Sequence, residues 1–320
     1  METRRIAITG ASGFLGANLT HYFLESGHEI YPIIRTTSNT WRINDIINEI
    51  NVTKLKDSSG TEFKDIFEKL KPEVIINAMG VDQKKAASNN SLYWKSNFLS
   101  IVNLVEGIRG LSTTILIHAG SSFEYGKATL KQNPVSEDAT CEPISDYAIS
   151  KFLSTEYLRY VTQKLSHTIS IFRIFNLYGP YDSSYSLITD ITLKSILGEE
   201  IVLKNPFAIR DFIHVKDAIE AVRIAMVNHT NDTGLSIMNL GTGVGTKVSD
   251  IASLVNKLNG EKSQIKVFPG DQRPENSIPG PIADMTKTFN FLNWKPKVNI
   301  EKGLYEQNDW IKNHRDLYKN

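Results

Sequence analysis

The chain has 320 residues, and its 36 Lys and Arg residues nearly balance 35 Asp and Glu residues, leaving a net charge of +1. This balance excludes a strong field for nucleic acid or for an anionic membrane, so neither partner is expected. No apolar run approaches the roughly 20 residues that span a bilayer. Residues 1–5 run directly into a strand-like segment, so no secretory signal is expected. The single cysteine, Cys141, excludes an internal disulfide, and we expect a reducing, cytoplasmic location.

Short apolar segments alternate with helical patterns up to about residue 178. Predicted strands cover residues 5–9, 29–35, 51–55, 74–77, 114–118 and 168–175. A first helix carries Leu15, Leu19 and Phe23 on one face and ends at Gly27. Further helices are predicted over residues 45–49, 62–70, 89–107 and 146–165. Buried-type strands that alternate with helices predict a doubly wound α/β fold with a parallel, Rossmann-type sheet.

The regular alternation ends after residue 179. Helical patterns cover residues 187–197, 217–228 and 247–259, strands are predicted over 201–203 and 237–240, and residues 269–281 form a loop with four prolines. We therefore expect two domains. Residues 1–178, with about 216–240 packing back onto them, form a dinucleotide-binding domain. Residues 179–215 and 241–320 form a smaller, mixed α/β lobe that binds the substrate.

Three glycines lie between the first strand and the first helix, in the order Gly10-x-x-Gly13-x-x-Gly16. Glycine permits a tight turn and lets the backbone approach a pyrophosphate at the helix N-terminus. The spacing differs from the commonest dinucleotide fingerprint, G-x-G-x-x-G, and a glycine-rich turn without a ligand is the alternative. The loop residues expected to contact a dinucleotide are Gly10, Ser12, Gly13, Phe14, Leu15 and Gly16.

The end of the second strand bears on the choice of cofactor. An Asp or Glu there binds the ribose hydroxyls of NAD, but this chain has Arg35 followed by hydroxyl side chains. A cation with neighbouring hydroxyls suits a 2′-phosphate, so NADP(H) is favoured over NAD(H), with a solvated Arg35 as the alternative. Arg42 is a second candidate, in an irregular segment. Asp57 follows the third strand, where it either meets the adenine amino group or is an exposed turn residue.

Tyr147 and Lys151 lie one helical turn apart in the helix over residues 146–165. A free tyrosine has a pKa of about 10, and a nearby lysine charge favours the phenolate, so Tyr147 is a candidate proton donor or acceptor at a substrate oxygen. Ser121 follows a strand at the edge where such sheets bind ligands, and it would hydrogen-bond the same oxygen. The pair alone is typical of a helix surface. Its position after the glycine loop and Ser121 favours hydride transfer at an alcohol or ketone carbon.

With these motifs in this order, the chain resembles the extended short-chain dehydrogenases/reductases, the NAD-dependent epimerase/dehydratase group that acts on nucleotide sugars. The motifs are the glycine loop, the Ser-x-x-x-Tyr-Gly of residues 121–126 and the Tyr-x-x-x-Lys of residues 147–151. Residues 77–80, 175–180, 210–215 and 292–296 also resemble family segments. The resemblance implies cofactor contacts from Ala78, Met79, Gly80, Asn97, Tyr147 and Lys151. It implies substrate contacts from Ser122, Asn176, Val202, Arg210 and Arg273.

Some of these assignments have plainer alternatives. Taken singly, Arg210 and Arg273 are typical of surface arginines, although together they suit a nucleotide diphosphate. Residues 201–203 also fit a plain strand of the smaller lobe. The resemblance implies a homodimer formed through the helices over residues 89–107 and 146–165, with apolar faces that pack only within the chain as the alternative. No metal is expected.

Three reactions share this framework: 4,6-dehydration, 4-epimerisation and C4 ketone reduction. The two positions after Ser121 distinguish dehydration from the other two. Dehydratases of the family carry a carboxyl-containing pair there for the elimination step. This chain has Ser122 and Phe123, and Glu124 comes one residue late, on the opposite face of a strand end. Epimerases usually hold NAD, which the missing acidic residue after the second strand disfavours. A C4 ketoreductase needs only the Ser–Tyr–Lys set and NADPH.

Residues 13–23 and 120–126 also resemble two groups of C4 ketoreductases, the CDP-linked paratose/abequose synthases and the reductases of GDP-4-keto-6-deoxymannose. We therefore expect NADPH-dependent reduction of the C4 ketone of a nucleotide-linked 4-keto-6-deoxyhexose. Such a step belongs to deoxysugar biosynthesis for a surface polysaccharide such as lipopolysaccharide. A 4-epimerase is the alternative, and a 4,6-dehydratase or a non-catalytic NADP-binding protein comes after it.

Overall fold

The structure, a computed structural model, describes residues 2–81, 89–112, 114–228, 234–268 and 279–318. The strands are β1 Arg5–Thr9, β2 Glu29–Arg35, β3 Thr53–Leu55, β4 Val74–Asn77, β5 Ile115–Ser121, β6 Thr168–Ile174, β7 Asn176–Tyr178, β8 Ile201–Leu203, β9 Ile209–His214, β10 Gly234–Leu240, β11 Gly245–Lys247 and β12 Ile265–Val267. The α-helices are α1 Phe14–Glu25, α2 Gly60–Leu70, α3 Ser91–Tyr93, α4 Ser100–Ile108, α5 Asp146–Thr162, α6 Leu187–Leu197, α7 Val215–Asn228, α8 Val248–Leu258, α9 Thr286–Leu292 and α10 Ile300–Asn313.

The chain divides into two compact units. Unit 1 comprises Met1–Gly126, Cys141–Ile174 and Ile219–Met238. Unit 2 comprises Lys127–Thr140, Phe175–Ala218 and Asn239–Asn320. Each unit has a hydrophobic core of its own.

Unit 1 is built on a seven-stranded sheet in the order β10-β6-β5-β4-β1-β2-β3. Strands β1 to β6 pair in parallel, and their burial is nearly continuous because helices cover both faces of such sheets. The strand order reverses at β1 and β4, so the loops after these strands diverge and leave a crevice at the carboxyl edge. The predicted doubly wound, Rossmann-type α/β fold is confirmed.

One layer of the core of unit 1 lies between this sheet and the helices α2, α4 and α5. Phe63 and Phe67, one turn apart on α2, stack at 5.6 Å and are fully buried with Leu104 and Ile108 of α4. Each such side chain contributes roughly 1.5–3 kcal/mol on burial. Local signals set the helix bounds: the Ser59 hydroxyl accepts a hydrogen bond from the Glu62 amide at the start of α2.

Unit 2 has two small sheets. In the mixed sheet β11-β9-β7, β7 runs parallel and β11 antiparallel to β9, and the second sheet pairs β8 with β12 in parallel. The helices α6, α8 and α10 supply the core of this unit, with Ile191, Ile251 and Leu304 fully buried. The smaller, mixed part of the predicted fold is therefore also confirmed.

The division differs from the predicted domain bounds. Lys127–Thr140, expected with the dinucleotide-binding domain, belongs to unit 2. The Val135 amide donates to the Ile282 carbonyl oxygen at 2.8 Å, and Glu137 Oε1 accepts from the Asn239 amide at 2.6 Å. Unit 2 also begins again at Phe175 rather than after 178, and the returning segment is Ile219–Met238 rather than 216–240. Such long-range pairings leave no periodic signal in the sequence.

Some predicted elements also need correction. Residues 45–49, expected to be a short helix, form turns, and the helical turn lies upstream as a 3₁₀ helix at Trp41–Ile43. Ile43 is fully buried there, whereas Asn and Asp in 44–48 favour local turns. The helix predicted over 89–107 is interrupted by a π-helical segment, Trp94–Leu99, between α3 and α4. Among the described residues, the structure has no helix that is long and apolar enough to cross a membrane.

Candidate active site

The glycine loop packs too tightly for side chains at two of its positions. Gly10 has a φ of +73°, and a Cβ there would lie 2.7 Å from the backbone carbonyl of Ala78. A Cβ at Gly16 would lie 2.2 Å from the Gly10 carbonyl oxygen. Gly13 is the N-cap of α1, and its amide donates to the Gly10 oxygen at 2.9 Å. The backbone therefore forms an open cradle at a helix N-terminus, a site that fits the pyrophosphate of a dinucleotide.

A row of buried polar side chains runs from the ends of β1 and β4 to the middle of β5. Asn77 Oδ1 accepts from the Thr9 hydroxyl at 2.7 Å and from the Met79 amide at 3.2 Å. Asn77 Nδ2 donates to His118 Nδ1 at 3.0 Å, so the ring of His118 is neutral in this arrangement. Burial, followed by the charge of Lys151, holds the pKa of His118 well below its usual value. The row fixes the turn through Ala78 and Met79 beside the glycine loop.

Asn97 connects that turn to α5. Its Oδ1 accepts from the Val81 amide at 2.9 Å, and its Nδ2 donates to the Ser150 hydroxyl at 3.0 Å. A Cβ at Gly80 would lie 3.2 Å from Asn97 Oδ1 and 3.3 Å from Lys151 Nζ. The structure therefore brings together three of the predicted cofactor residues. Asn97 is held on the π-helical segment Trp94–Leu99, and such segments are frequent at functional sites.

Lys151 is buried on the inner face of α5, and its Nζ donates to the Ala119 carbonyl oxygen of β5 at 2.9 Å. Burial lowers the pKa of Lys151 to about 8, and the charge of Glu124 opposes this shift. The ammonium is thus held near the carboxyl end of β5, where Ser121 also lies, and its pKa is closer to neutral pH than that of a free lysine.

Tyr147 lies in the first turn of α5, which begins where the Ser145 hydroxyl accepts from the Ala148 amide at 3.2 Å. Its ring meets the rings of Tyr93 and Phe123 edge to face, with centroids 6.0 Å away in both cases. Two aromatic contacts on a capped helix restrict the rotation of this side chain. A held phenol, with Lys151 one turn further on, is the arrangement that a proton donor at a substrate oxygen needs.

Ser121 is the last residue of β5 and the N-cap of a short 3₁₀ helix, Ser122–Tyr125. Its Oγ accepts from the Phe123 amide at 3.3 Å, which leaves the hydroxyl proton to donate. Ser122 is buried, and its Oγ lacks a hydrogen-bond partner among the described residues, whereas Phe123 is 41% exposed.

Glu124 is fully buried behind Ser121. Its Oε1 accepts from the Ser121 amide at 2.8 Å, and its Oε2 accepts from the Thr155 hydroxyl at 2.9 Å and from Arg173 Nε at 3.0 Å. The sequence predicted that this carboxylate comes one residue after the dehydratase position, on the opposite face of a strand end, but residues 122–125 form a 3₁₀ helix instead. The structure places it in a buried ion pair.

Two arginines are candidates for the adenosine end of the cofactor: Arg35 ends β2, and Arg42 lies in the 3₁₀ helix Trp41–Ile43. Arg35 is exposed, and its amide donates to the Ser38 hydroxyl at 3.1 Å. Arg42 is mostly buried, with its guanidinium 4.3 Å from the Trp41 ring centroid and its Nη1 3.4 Å from the Ser12 carbonyl oxygen. Arg42 thus reaches the glycine loop, although the sequence could not place it. Asp57 is exposed at the turn after β3, where its Oδ1 accepts from the Ser59 amide at 2.8 Å.

In unit 2, Asn176 of β7 and Arg210 of β9 lie on neighbouring strands. Asn176 Nδ2 donates to the Asp211 carbonyl oxygen at 2.9 Å. The Asp211 carboxylate is fully buried and accepts from both the amide and the hydroxyl of Thr242. Val202 of β8 is 39% exposed. Arg273 lies outside the described residues.

The family model for the NAD dependent epimerase/dehydratase family matches residues 6–241 of this chain. The chain belongs to this family. The family match confirms the expected enzyme class, an NAD(P)-dependent oxidoreductase acting on a nucleotide sugar.

Relatives and solved structures extend the match over the whole chain. A UDP-glucose 4-epimerase of Cyamopsis tetragonoloba is 25% identical, with 97% of this chain and 95% of that protein covered. The UDP-glucose 4-epimerase of Thermotoga maritima, solved with UDP-glucose, superposes with a TM-score of 0.86 at 22% identity, over 97% of this chain and 99% of the other. The dTDP-glucose 4,6-dehydratase of Bacillus anthracis, solved with NAD, gives a TM-score of 0.85 at 20% identity over 99% of each chain. These structures share the fold of this chain.

Proposed function

We propose that this enzyme reduces the C4 ketone of a nucleotide-linked 4-keto-6-deoxyhexose with NADPH. The observation that carries the proposal is the content of the three positions after Ser121. Position 122 holds a buried serine and position 123 an exposed phenylalanine, and the carboxylate of Glu124 is bound to Arg173. The site thus has the groups for hydride transfer, while the carboxylate that follows Ser121 is already engaged and does not serve as the base of an elimination.

The bound nicotinamide cofactor supplies the hydride. Tyr147 donates its phenolic proton to the C4 oxygen, so that the ketone becomes a hydroxyl and a phenolate remains on the tyrosine. Ser121 donates a hydrogen bond to the same oxygen, where negative charge develops. The ammonium of Lys151 stabilises the phenolate until solvent restores the proton.

The preference for NADPH over NADH is also part of the proposal. A 2′-phosphate requires cations at the adenosine end. Arg35 is the last residue of β2, and Arg42 lies in the segment after it, with its guanidinium at the Ser12 carbonyl. Arginine binds phosphate in a charge-assisted, bidentate manner. We assign the nucleotide diphosphate to Arg210 and Arg273, and the neighbourhood of the nucleobase to Val202. Asn176 is assigned to a sugar hydroxyl or to a phosphate.

An assay across nucleotides tests the proposal. Purified protein is mixed with NADPH or NADH and with CDP-, GDP-, dTDP- or UDP-linked 4-keto-6-deoxyhexose, and absorbance at the nicotinamide band is followed. We expect NADPH oxidation with one nucleotide preferred and a product heavier by two hydrogens. NADPH that stays unoxidised with all four substrates contradicts the proposal.

A 4-epimerase is the second candidate, because relatives over nearly the full chain are named as UDP-glucose 4-epimerases. An epimerase interconverts UDP-glucose and UDP-galactose without net consumption of cofactor, and its cofactor stays bound through purification. Product analysis of UDP-glucose incubations, together with the nucleotide released by denaturing the protein, separates the two activities. Lys151→Ala separates both from a non-catalytic cofactor-binding protein, because only an enzyme loses turnover.

A homodimer formed through the helical residues 89–107 and 146–165 is a further part of the proposal, and light scattering of the purified protein tests it. The cytoplasmic location stays a prediction from the single cysteine.

A further inference from the structure

The carboxylate of Glu124 joins the catalytic edge of the sheet to the interior of unit 1. One oxygen, Oε1, accepts from the Ser121 amide at 2.8 Å, and the other, Oε2, accepts from Thr155 of α5 and from Arg173 of β6. Glu124 and Arg173 are 0% and 2% exposed. A single side chain thus ties the end of β5 to its neighbouring strand and to the helix that carries Tyr147 and Lys151.

The Glu124 carboxylate is closely packed against the backbone around it. A Cβ at Gly120 would lie 2.9 Å from Glu124 Oε1 and 3.1 Å from the Phe172 carbonyl oxygen. The bond from the Ser121 amide is one half of a capping box, and the Ser121 hydroxyl accepting from the 3₁₀ helix is the other half. The backbone of Ser121 is therefore held by a hydrogen bond that ends on Glu124, and its Oγ is held by a separate hydrogen bond from the 3₁₀ helix.

We propose that Glu124 is a positioning residue that holds Ser121 at the end of β5 for hydride transfer. It acts through Ser121 and does not touch the substrate. Its second oxygen is needed by Thr155 and Arg173, so the carboxylate cannot turn toward the ligand without breaking a buried ion pair. The inference rests on the proposed hydride transfer at C4, but it holds for ketone reduction and for epimerisation alike.

The buried ion pair complicates a single substitution, because Glu124→Leu alone leaves the Arg173 charge uncompensated and endangers folding. Two double variants avoid this problem. E124Q/R173M keeps a side-chain oxygen that accepts from the Ser121 amide. E124L/R173M has no acceptor for this amide at position 124. Both lack the ion pair, and they differ only in the side chain at position 124.

We expect E124L/R173M to lose kcat by about 10- to 100-fold relative to E124Q/R173M, because displacement of a reacting group by about 1 Å has costs of this size. The Kd for NADPH, measured by fluorescence, should be the same for both variants. Thr155→Val is the control for stability: it removes another hydrogen bond from the carboxylate and should lower Tm without lowering kcat. Equal kcat values for the two double variants would overturn the proposal and leave Glu124 a purely structural residue.

The assay is run both as NADPH oxidation and as epimerisation, so a failure of ketone reduction does not remove the test. If the wild-type enzyme catalyses neither reaction, amide hydrogen exchange at Ser121 tests whether Glu124 holds this residue in place. Faster exchange at Ser121 in E124L/R173M than in E124Q/R173M, with equal exchange across β1, supports the positioning role. Equal exchange at Ser121 in the two variants rejects it.

Discussion

The two units hold their predicted site residues in different ways. In unit 1, Asn97 and Lys151 are almost fully buried, and each is hydrogen-bonded to the backbone or to another buried side chain. In unit 2, Val202 is 39% exposed, and Asn176 and Arg210 are half-buried on short strands. The buried polar residue beside them is Asp211, whose carboxylate accepts from backbone amides and from Thr242.

This difference indicates a division of labour between the units. Side chains locked by several buried hydrogen bonds are preorganised, which is what transition-state stabilisation requires. Solvent-exposed side chains can be substituted with little loss of stability when a buried neighbour, here Asp211, holds the backbone that carries them. We therefore expect substitutions of the buried unit 1 residues Asn97 and Lys151 to reduce kcat or stability, and substitutions at the unit 2 residues to change KM.

Tyr147→Phe should give the largest effect. The variant keeps the ring contacts with Tyr93 and Phe123 and removes only the hydroxyl that donates the proton. We expect kcat to fall by about 1,000-fold, within the range for loss of a general acid, while NADPH binding is retained. Steady-state kinetics with the preferred nucleotide sugar gives kcat, and Tyr157→Phe, on the same helix, is the control. A Tyr147→Phe variant with more than a tenth of wild-type kcat would remove this residue from the mechanism.

Gly16→Ala should destabilise unit 1, and Gly13→Ala should do so much less. The added Cβ meets the Gly10 oxygen at 2.2 Å in the first case and at 3.2 Å in the second. Overpacking against rigid backbone costs about 1–3 kcal/mol of unfolding free energy. Denaturant unfolding without cofactor measures the difference. Equal losses in the two variants contradict the close packing of this loop.

These two predictions concern residues that the sequence identified unaided. The strands of unit 1 are continuous apolar runs that end in small or polar residues, so their carboxyl edge, with Ser121 and the glycine loop, follows from the pattern. The positions of the Glu124 and Arg42 side chains did not follow, although Arg42 was already a second candidate for the 2′-phosphate. Glu124 finds its partner 49 residues away on β6, and Arg42 is placed by packing on Trp41 in a segment without periodicity. The transfer of Lys127–Thr140 to unit 2 likewise depends on long-range hydrogen bonds.

Arg42→Ala should reduce the preference for NADPH more than Arg35→Ala does. Arg42 is mostly buried beside the glycine loop and loses little entropy on binding, whereas Arg35 is exposed. Loss of a hydrogen bond to a charged group costs about 1.5–3 kcal/mol, equivalent to about 10- to 100-fold in the NADPH Kd. Titrations with NADPH and NADH measure the ratio. A larger loss of NADPH preference in Arg35→Ala than in Arg42→Ala would assign the 2′-phosphate to the exposed Arg35.

The proposed reductase activity should have an alkaline limit set by Lys151. Burial lowers the pKa of this ammonium to about 8, so its charge is present below that pH and is lost as pH rises through it. We expect kcat to fall by about tenfold for each pH unit above the limit. In Lys151→Arg, whose guanidinium stays charged, the residual activity should not fall over this range. A wild-type profile that stays flat up to pH 10 contradicts the assignment.

Arg210→Ala should give the smallest of these effects, and it tests the unit 2 half of the comparison. Arg210 lies on β9 opposite Thr246, half-buried in the small mixed sheet, so truncation should leave the core around Ile251 intact. Loss of one charge-assisted contact to a diphosphate should raise the KM for the nucleotide sugar by about tenfold, with kcat and the NADPH Kd unchanged. Lys247→Ala removes an exposed charge from the neighbouring strand and is the matched control. A fall in kcat without a change in KM would show that unit 2 is as preorganised for chemistry as unit 1.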